Sequence, residues 1–505
     1  MNSNVQNPVE EVSISRVVRG GFYLYLTSIV NNAAGFLYWL VILTIGGSEI
    51  LGYTSTTIGL ATLTTGILSF GVTRGVQRFL GKTLGQNNIQ ELKTYFWTTT
   101  YFLLATYAVA AIAMYTLGSL GIVFGNYKPQ MFQTASILVF LGVSTSFSAL
   151  LITYLRTEFI LIASVVGNTL KFALGVTLVL LGYDWVGAAL GYAMVSAANL
   201  TIGLAYALKT IGPSLTFNTK HLIEVLKAGI ANWLPGIIML TGQWLGVLAV
   251  FGFSGAIETG QYYIAFAIAN LVLMIAASLG TPLLPTLSGM TDGRKRMCWR
   301  ILKIGLALMT PITAVLIAYP WLPTLVLGGK YPNIAPTMLV LALSTIPLAI
   351  TLPITNLVYA YGNYFQVLKI GLAQNIPRII LYLTITPILG GLGTAIAYLT
   401  GSITGLTQAA HIANHIGLKV NWKKVGKILA IPLALAFALG VLPHSLWPIG
   451  VLIIIALTII VNIKQKNLTR NDIEEIIRAI MPKQAAEKTI AKINTILNIF
   501  TAEKQ

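Results

Sequence analysis

Apolar runs long enough to cross about 30 Å of hydrocarbon recur along this chain, and that succession leaves few folds open. They lie near residues 20–46, 50–72, 94–120, 131–154, 159–182, 185–208, 224–252, 258–286, 300–322, 333–358, 365–389, 391–413, 425–442 and 445–463. In lipid each run must satisfy its backbone internally. The pattern therefore predicts an all-α polytopic membrane protein with about fourteen transmembrane helices. Only 9% of the 505 residues are charged, against ~25% in an ordinary soluble domain. This excludes a soluble enzyme, a disordered chain and a nucleic-acid module. A single cysteine, Cys298, excludes a disulfide framework and a cysteine-based metal site. The residues through Glu11 are polar and lack a cleavage pattern. The first apolar run exceeds a secretory signal, so no signal peptide is expected.

Lys and Arg outnumber Asp and Glu by 32 to 14, and their placement explains the excess. With alternate loops assigned to the cytoplasm, one side holds Arg16, Arg19, Arg74, Arg78, Lys82, Arg156, Lys209, Lys227, the Arg294-Lys-Arg296 cluster, Lys419, Lys423 and the cations from Lys464 onward. The other side holds Lys128 and Lys330. The positive-inside rule then places both termini in the cytoplasm and the protein in the cell membrane. From about Asn467 to Gln505, apolar residues such as Ile473, Ile476, Ile477 and Ile480 recur at helical spacing. This predicts an amphipathic tail, either lying on the inner leaflet or serving as a partner-binding arm.

The chain also repeats itself. An offset of 208 residues superimposes five glycines, including Gly21 on Gly229, Gly47 on Gly255 and Gly52 on Gly260. Small loop differences then bring Gly125-Asn-Tyr127 onto Gly329-Lys-Tyr331 and Asn168-Thr-Leu-Lys171 onto Asn375-Ile-Pro-Arg378. They also bring Gly187-Ala-Ala-Leu-Gly-Tyr192 onto Gly393-Thr-Ala-Ile-Ala-Tyr398. Each half holds six helices, an even number, so both enter the membrane from the same side as a parallel repeat. The expected organisation is an N-terminal segment at 1–16, lobes at 17–210 and 211–415, two further helices at 416–463 and a tail at 464–505.

Three stretches resemble the MOP exporter superfamily, in its lipid-linked oligosaccharide flippase branch. Pro282-Leu-Leu-Pro285-Thr-Leu-Ser288 is similar to the end of that branch's eighth helix. Leu327-Gly-Gly329-Lys-Tyr331-Pro-Asn-Ile-Ala335-Pro is similar to its connection from helix 9 to helix 10. Gly390-Gly391-Leu-Gly393-Thr-Ala is similar to its turn between helices 11 and 12. The likeness covers about residues 12–463 and rests on turn glycines and prolines, which specify fold better than substrate. It implies two six-helix lobes, often with two added helices, and export of an oligosaccharide linked through phosphate or pyrophosphate to a polyprenyl lipid. It also implies a lateral opening between helices 1 and 8 for the lipid tail.

The residues add chemistry to that expectation. All fourteen acids fall in loops, at helix ends or in tails. A cation antiporter normally needs an intramembrane carboxylate, and a glycosyltransferase needs acids for base or metal. Lys171 and Arg378, by contrast, lie about twelve and thirteen residues into their helices, ~18–20 Å deep. A cation there costs at least ~2.5–3.5 kcal/mol, so it must face a wet cavity or a partner. An anionic substrate is the expected counter-charge, with Asn168 and Asn375 as donors to phosphate or sugar. The alternative is that these helices start later and the cations sit at an interface.

Arg74 and Arg78 share a helix face and read either as an entry clamp for pyrophosphate or as plain positive-inside charge. Arg19 and Lys227, equivalent in the repeat, carry the same two readings. Tyr23, Tyr25, Trp39, Trp244, Tyr262 and Tyr263 read either as sugar-stacking residues or as packing. His411 and His415 imitate a metal pair but have no third ligand in the sequence around them. No P-loop spacing is present, so no nucleotide cofactor is expected. The sequence thus predicts a flippase without cofactor or metal whose partners are a lipid-linked glycan and membrane lipids, with the coupling ion open. A drug or cation antiporter of the same fold and a membrane enzyme of glycan assembly are the competing readings.

Overall fold

The computed structural model describes residues 14–121, 125–280, 292–326 and 334–465, with isolated positions between and beyond them as far as Ile490. Several expectations lie outside the described residues. These are the segment before residue 14, Lys330, the Gly329-Lys-Tyr331 repeat match, most of the amphipathic tail, and the motifs at 282–288 and 327–333 apart from Leu283 and Leu287.

Among the described residues the regular structure is helical. The helices are α1 (Ile14–Leu68), α2 (Val72–Gly85), α3 (Ile89–Ser119), α4 (Pro129–Phe140), α5 (Ser144–Thr153), α6 (Thr157–Leu178), α7 (Asp184–Thr210) and α8 (Thr219–Gly280). They continue as α9 (Arg294–Ala318), α10 (Leu322–Val326), α11 (Ile334–Ala360), α12 (Tyr364–Thr384), α13 (Thr386–His415), α14 (Trp422–Gly440) and α15 (Trp447–Lys464). Nine helical stretches among the described residues are long and apolar enough to cross a membrane. Three of them, Arg19–Leu68, Thr157–Thr210 and Trp233–Leu279, are double spans bent near their middles. With α12 and α14, the spans number the fourteen read from the sequence.

The bends carry the repeat into the backbone. Gly47 has φ 73° and ψ −179°, and Gly255, 208 positions later, has φ 80° and ψ −174°. Glycine is the residue that takes this conformation without strain. The turn before α7 pairs in the same way with the bend in α13. Asp184 has φ 46° and ψ −135°, and Gly390 has φ 53° and ψ −131°. At Gly390 the backbone turns beside Glu258, whose carboxylate accepts a 2.7 Å hydrogen bond from the Gly391 N–H.

Two boundaries differ from the apolar pattern. The second span ends at Leu68, not near 72. Phe70 and Gly71 adopt positive φ (45° and 69°), and the chain restarts as the separate α2. Arg74 and Arg78 therefore sit on this short amphipathic helix rather than at the end of a transmembrane one. The span at 131–154 is also interrupted, by a 3₁₀ turn at Leu141–Val143. Neither break contains a proline, so the apolar pattern does not mark them.

The chain divides into two compact units. The first comprises Met1–Ile264 and Leu381–Thr394. Val76, Leu80, Phe96, Trp97 and Phe147 form part of its buried core. The Tyr38 hydroxyl donates a 2.6 Å bond to the Ala188 carbonyl. Near the first bend of each repeat two helices meet at near-contact. A β-carbon on Gly52 would lie 1.9 Å from the Ala256 oxygen, and one on Gly260 would lie 1.9 Å from the Ser48 oxygen. Residues 48 and 256 are themselves repeat equivalents, so the contact is reciprocal.

The second unit comprises Ala265–Ile380 and Ala395–Gln505. It is built around α9, on which α11, α14 and α15 pack. The start of the tail is fastened to the same helix. Leu468 packs on Ile304 and Ala307. Arg300 donates to Asp472 Oδ1 at 2.8 and 2.6 Å, and Thr469 donates to Oδ2 through its N–H and its hydroxyl. Burial pushes the Asp472 carboxyl up, but the Thr469 hydrogen bonds and the Arg300 guanidinium outweigh it and hold the group below the usual carboxylate range.

Two outcomes follow from this packing. Gly52→Val and Gly260→Val should each lower thermal stability in detergent by about 1–3 kcal/mol or more. Gly236→Ala, where a β-carbon meets nothing within 4 Å, should be neutral or slightly stabilising. The Asp472 anchor should be complete above ~pH 4 and be lost as the pH falls through its lowered value. Hydrogen-exchange protection at Asn467, Leu468 and Thr469, corrected for the intrinsic rate at each pH, should therefore fall in acid, and Asp472→Asn should show that loss of protection already at neutral pH.

Candidate functional site

Lys171 and Arg378 occupy the same place in their helices. Lys171 lies fourteen residues after the start of α6 at Thr157, and Arg378 lies fourteen after the start of α12 at Tyr364. That is ~21 Å of helix. Both are buried, 1% and 2% exposed. Neither helix starts later than its apolar run suggests.

Each cation is held by a matching set of partners. The Lys171 ammonium donates a 2.6 Å hydrogen bond to Asn168 Oδ1. It also lies 5.2, 5.8 and 5.7 Å from the ring centres of Tyr38, Phe172 and Tyr192. The Arg378 guanidinium donates to Asn375 Oδ1 at 3.2 Å, to Ser402 Oγ at 2.7 Å and to the Tyr398 carbonyl at 3.3 Å. Its carbon lies 3.8 Å from the Tyr398 ring centre. The two triads, Asn168–Lys171–Tyr192 and Asn375–Arg378–Tyr398, correspond residue for residue in the repeat.

The structure adds two details to the expectation. The asparagines turn their carbonyl oxygens to the cations instead of serving only as donors to a substrate. Side-chain and backbone oxygens and ring faces stabilise the positive charge, in place of open water. The spacing of three places an asparagine one helical turn before the cation, but it does not say which end of the amide faces it. Tyr192 and Tyr398 bear no charge or motif that marks them as site residues, but the repeat alignment carries the signal, because both stand at its matched ends.

Other expected residues divide. Trp39, Tyr263 and Trp244 do come together in the first unit. Trp39 stacks on Tyr192 at 5.8 Å and meets Tyr263 at 5.0 Å, and Tyr263 stacks on Trp244 at 6.1 Å. A continuous aromatic path thus leads away from Lys171. Tyr262 is buried and Tyr25 is exposed. Arg19 is exposed and donates two hydrogen bonds to the Tyr23 hydroxyl, 3.2 and 3.1 Å long. Arg74, Arg78 and Lys227 are exposed, and the Arg78 guanidinium lies 5.9 Å from the Phe79 ring centre. None of these four cations is placed with Lys171. The ring nitrogens of His411 and His415 approach to 3.1 Å, yet no cluster of three metal-type ligands occurs among the described residues.

The described acids stand away from both triads in sequence and at element ends or bends. Glu91 and Glu158 are in first turns, Asp184 and Glu258 are at or beside the bends, and Glu224 is in the second turn of α8. Glu224 accepts a hydrogen bond from the Tyr95 hydroxyl.

Residues 56–336 match a family model described as polysaccharide biosynthesis protein. No protein of curated function matches the sequence. Among solved structures the chain is similar to the lipid II flippase MurJ in an inward closed conformation. The TM-score is 0.71 at 15% identity, over 89% of this chain and 98% of that one. It is also similar to a MOP superfamily transporter from Pyrococcus furiosus (TM-score 0.56, 14% identity, 79% and 95% covered). An inward-facing multidrug resistance MATE family transporter gives a TM-score of 0.56 at 14% identity, with 78% and 98% covered. At these identities the likeness establishes the fold.

Because an acceptor next to a buried charge contributes about 1.5–3 kcal/mol, Asn168→Leu and Ser402→Ala should each destabilise by that order. Asn168→Asp, which offers Lys171 a counter-ion, should destabilise less than Asn168→Leu. Thermal unfolding in detergent measures both.

Proposed function

The chain belongs to the polysaccharide biosynthesis protein family, and from that premise we propose that it is a flippase. It moves a polyprenyl-(pyro)phosphate-linked oligosaccharide from the inner to the outer leaflet by alternating access. The observation that carries this reading is the repeated triad: two buried cations at equivalent positions in their own helices, each preassembled on an asparagine and a tyrosine. An anionic headgroup is the ligand chemistry that such cations recognise once helix rearrangement uncovers them. Lys171 supplies a point charge, and Arg378 supplies a fork suited to phosphate oxygens.

In this mechanism the lobes 17–210 and 211–415 rock about an axis along the membrane normal. The helices at 416–463 flank them, and the lipid tail stays in the bilayer. Both termini face the cytoplasm of a cell-membrane protein, with the tail on that side. Arg19, Arg74, Arg78 and Lys227 then lie at the cytoplasmic mouth and raise the local concentration of an anionic headgroup there. The fold is also that of multidrug exporters. An antiporter of cations is disfavoured because the sequence places no acid in the middle of an apolar run, where such a protein normally carries a carboxylate as counter-ion. Among the described residues no cluster of three metal-type ligands is present to support glycan-assembly chemistry.

Proteoliposomes carrying a fluorescent polyprenyl-pyrophosphate disaccharide test the proposal. Wild-type protein should translocate it. Lys171→Arg and Arg378→Lys should keep part of the rate, while Lys171→Met and Arg378→Met should lose at least tenfold as monodisperse, folded protein. Proton-driven dye efflux without glycan translocation would instead establish the antiporter.

A further inference from the structure

Helix α1 presents three kinds of surface between Arg19 and its bend at Gly47. Gly20, Thr27 and Tyr38 are buried. Phe22, Ile29 and Leu37 are exposed and apolar, at 54, 44 and 51%, as lipid requires. Between these arcs lies a third, formed by Ser28, Asn31 and Asn32, all exposed, with the half-buried Gly35. Positions 28, 31, 32 and 35 follow the i, i+3, i+4, i+7 rule and share one face. Ile29 is turned about 100° from Ser28. A β-carbon on Gly21 or Gly35, along the same face, would meet nothing within 4 Å.

The depth of this face makes it informative. Asn32 is thirteen residues beyond Arg19, or ~20 Å of helix, near the middle of the span. An amide without partners costs about 4–8 kcal/mol in hydrocarbon. The amides here are only partly satisfied. Asn32 Nδ2 donates to the Ser28 carbonyl at 2.8 Å and to the Ser28 hydroxyl at 3.3 Å. The Asn32 side-chain oxygen, Oδ1, has no donor among the described residues. An exposed, partly unsatisfied polar arc at this depth belongs beside water, not lipid.

Asn31 ties the arc to the buried cation. Asn168 Nδ2 donates to Asn31 Oδ1 at 2.8 Å, while Asn168 Oδ1 accepts from Lys171. Asn31 in turn donates to the Ser164 hydroxyl at 3.3 Å. A hydrogen-bonded relay thus runs from the exposed surface of α1 to the Lys171 ammonium.

We propose that the Ser28–Asn31–Asn32 face of α1 lines the aqueous path and is a hydroxyl-recognising subsite for the sugar part of the substrate. It stands at the open end of the Asn31–Asn168–Lys171 relay. This rests on the reading of the protein as a glycan flippase. Amide and hydroxyl groups alternate donors and acceptors, which matches sugar hydroxyls and gives no hold on an apolar cation.

Thiol labelling tests it, because the charged reagent reacts with a thiolate that only water supports. The chain's own Cys298 is buried and serves as a silent background. Ser28→Cys and Asn32→Cys, reconstituted in nanodiscs, should react with a membrane-impermeant methanethiosulfonate at least tenfold faster than Ile29→Cys and Leu37→Cys. Added polyprenyl-pyrophosphate disaccharide should slow the first pair. Equal slow labelling of all four would overturn the aqueous face, and fast labelling without protection would overturn the sugar subsite. Fast labelling in a protein that translocates no lipid-linked glycan would count against the transport reading and against the subsite that rests on it.

Discussion

A positive charge ~20 Å along a transmembrane helix has to be given something in exchange for water, and this chain solves that problem twice with the same parts. Lys171 and Arg378 each rest on an asparagine one turn earlier and on a tyrosine from the following helix. The partners are dipoles and ring faces, not carboxylates. That choice matters for function. A carboxylate partner would neutralise the site and compete with an anionic ligand. Amide oxygens and aromatic rings hold the cation in place and leave its net charge intact.

The repeat makes this duplication possible and also sets how the helices bend. Gly47 and Gly255 share one unusual backbone conformation, and Asp184 and Gly390 share another. The contacts of Gly52 with Ala256 and of Gly260 with Ser48 are reciprocal because they join equivalent positions. A pair of helices built this way can approach to backbone contact on both sides of a pseudo-axis. Such close packing is lost as a unit when helices move, which suits a two-state device.

Much of this was legible in the sequence, because bilayer thickness imposes a length on every apolar run and the repeat supplies an internal alignment. The fourteen spans, the helix boundaries near Gly47 and Gly255 and the positions of Lys171 and Arg378 along their helices came from those two sources. The separation of α2 from the second span was not legible. Its cause is a pair of positive-φ residues, Phe70 and Gly71, and phenylalanine carries no turn signal. The orientation of the Asn168 and Asn375 amides was hidden because spacing places a side chain but not its two ends. The polar arc of α1 was hidden for another reason. Three small uncharged residues barely disturb an apolar run, and their meaning depends on which flank of the helix its neighbours cover.

The central proposal is that Lys171 and Arg378 recognise an anionic, lipid-linked headgroup. Native mass spectrometry of the protein released from membranes that make such lipids tests it directly. The account predicts a co-purifying polyprenyl-(pyro)phosphate glycan on the wild-type chain, lost from a folded Lys171→Met, Arg378→Met double variant. The same bound lipid on both proteins, or none on the wild type in membranes where it is abundant, would contradict it.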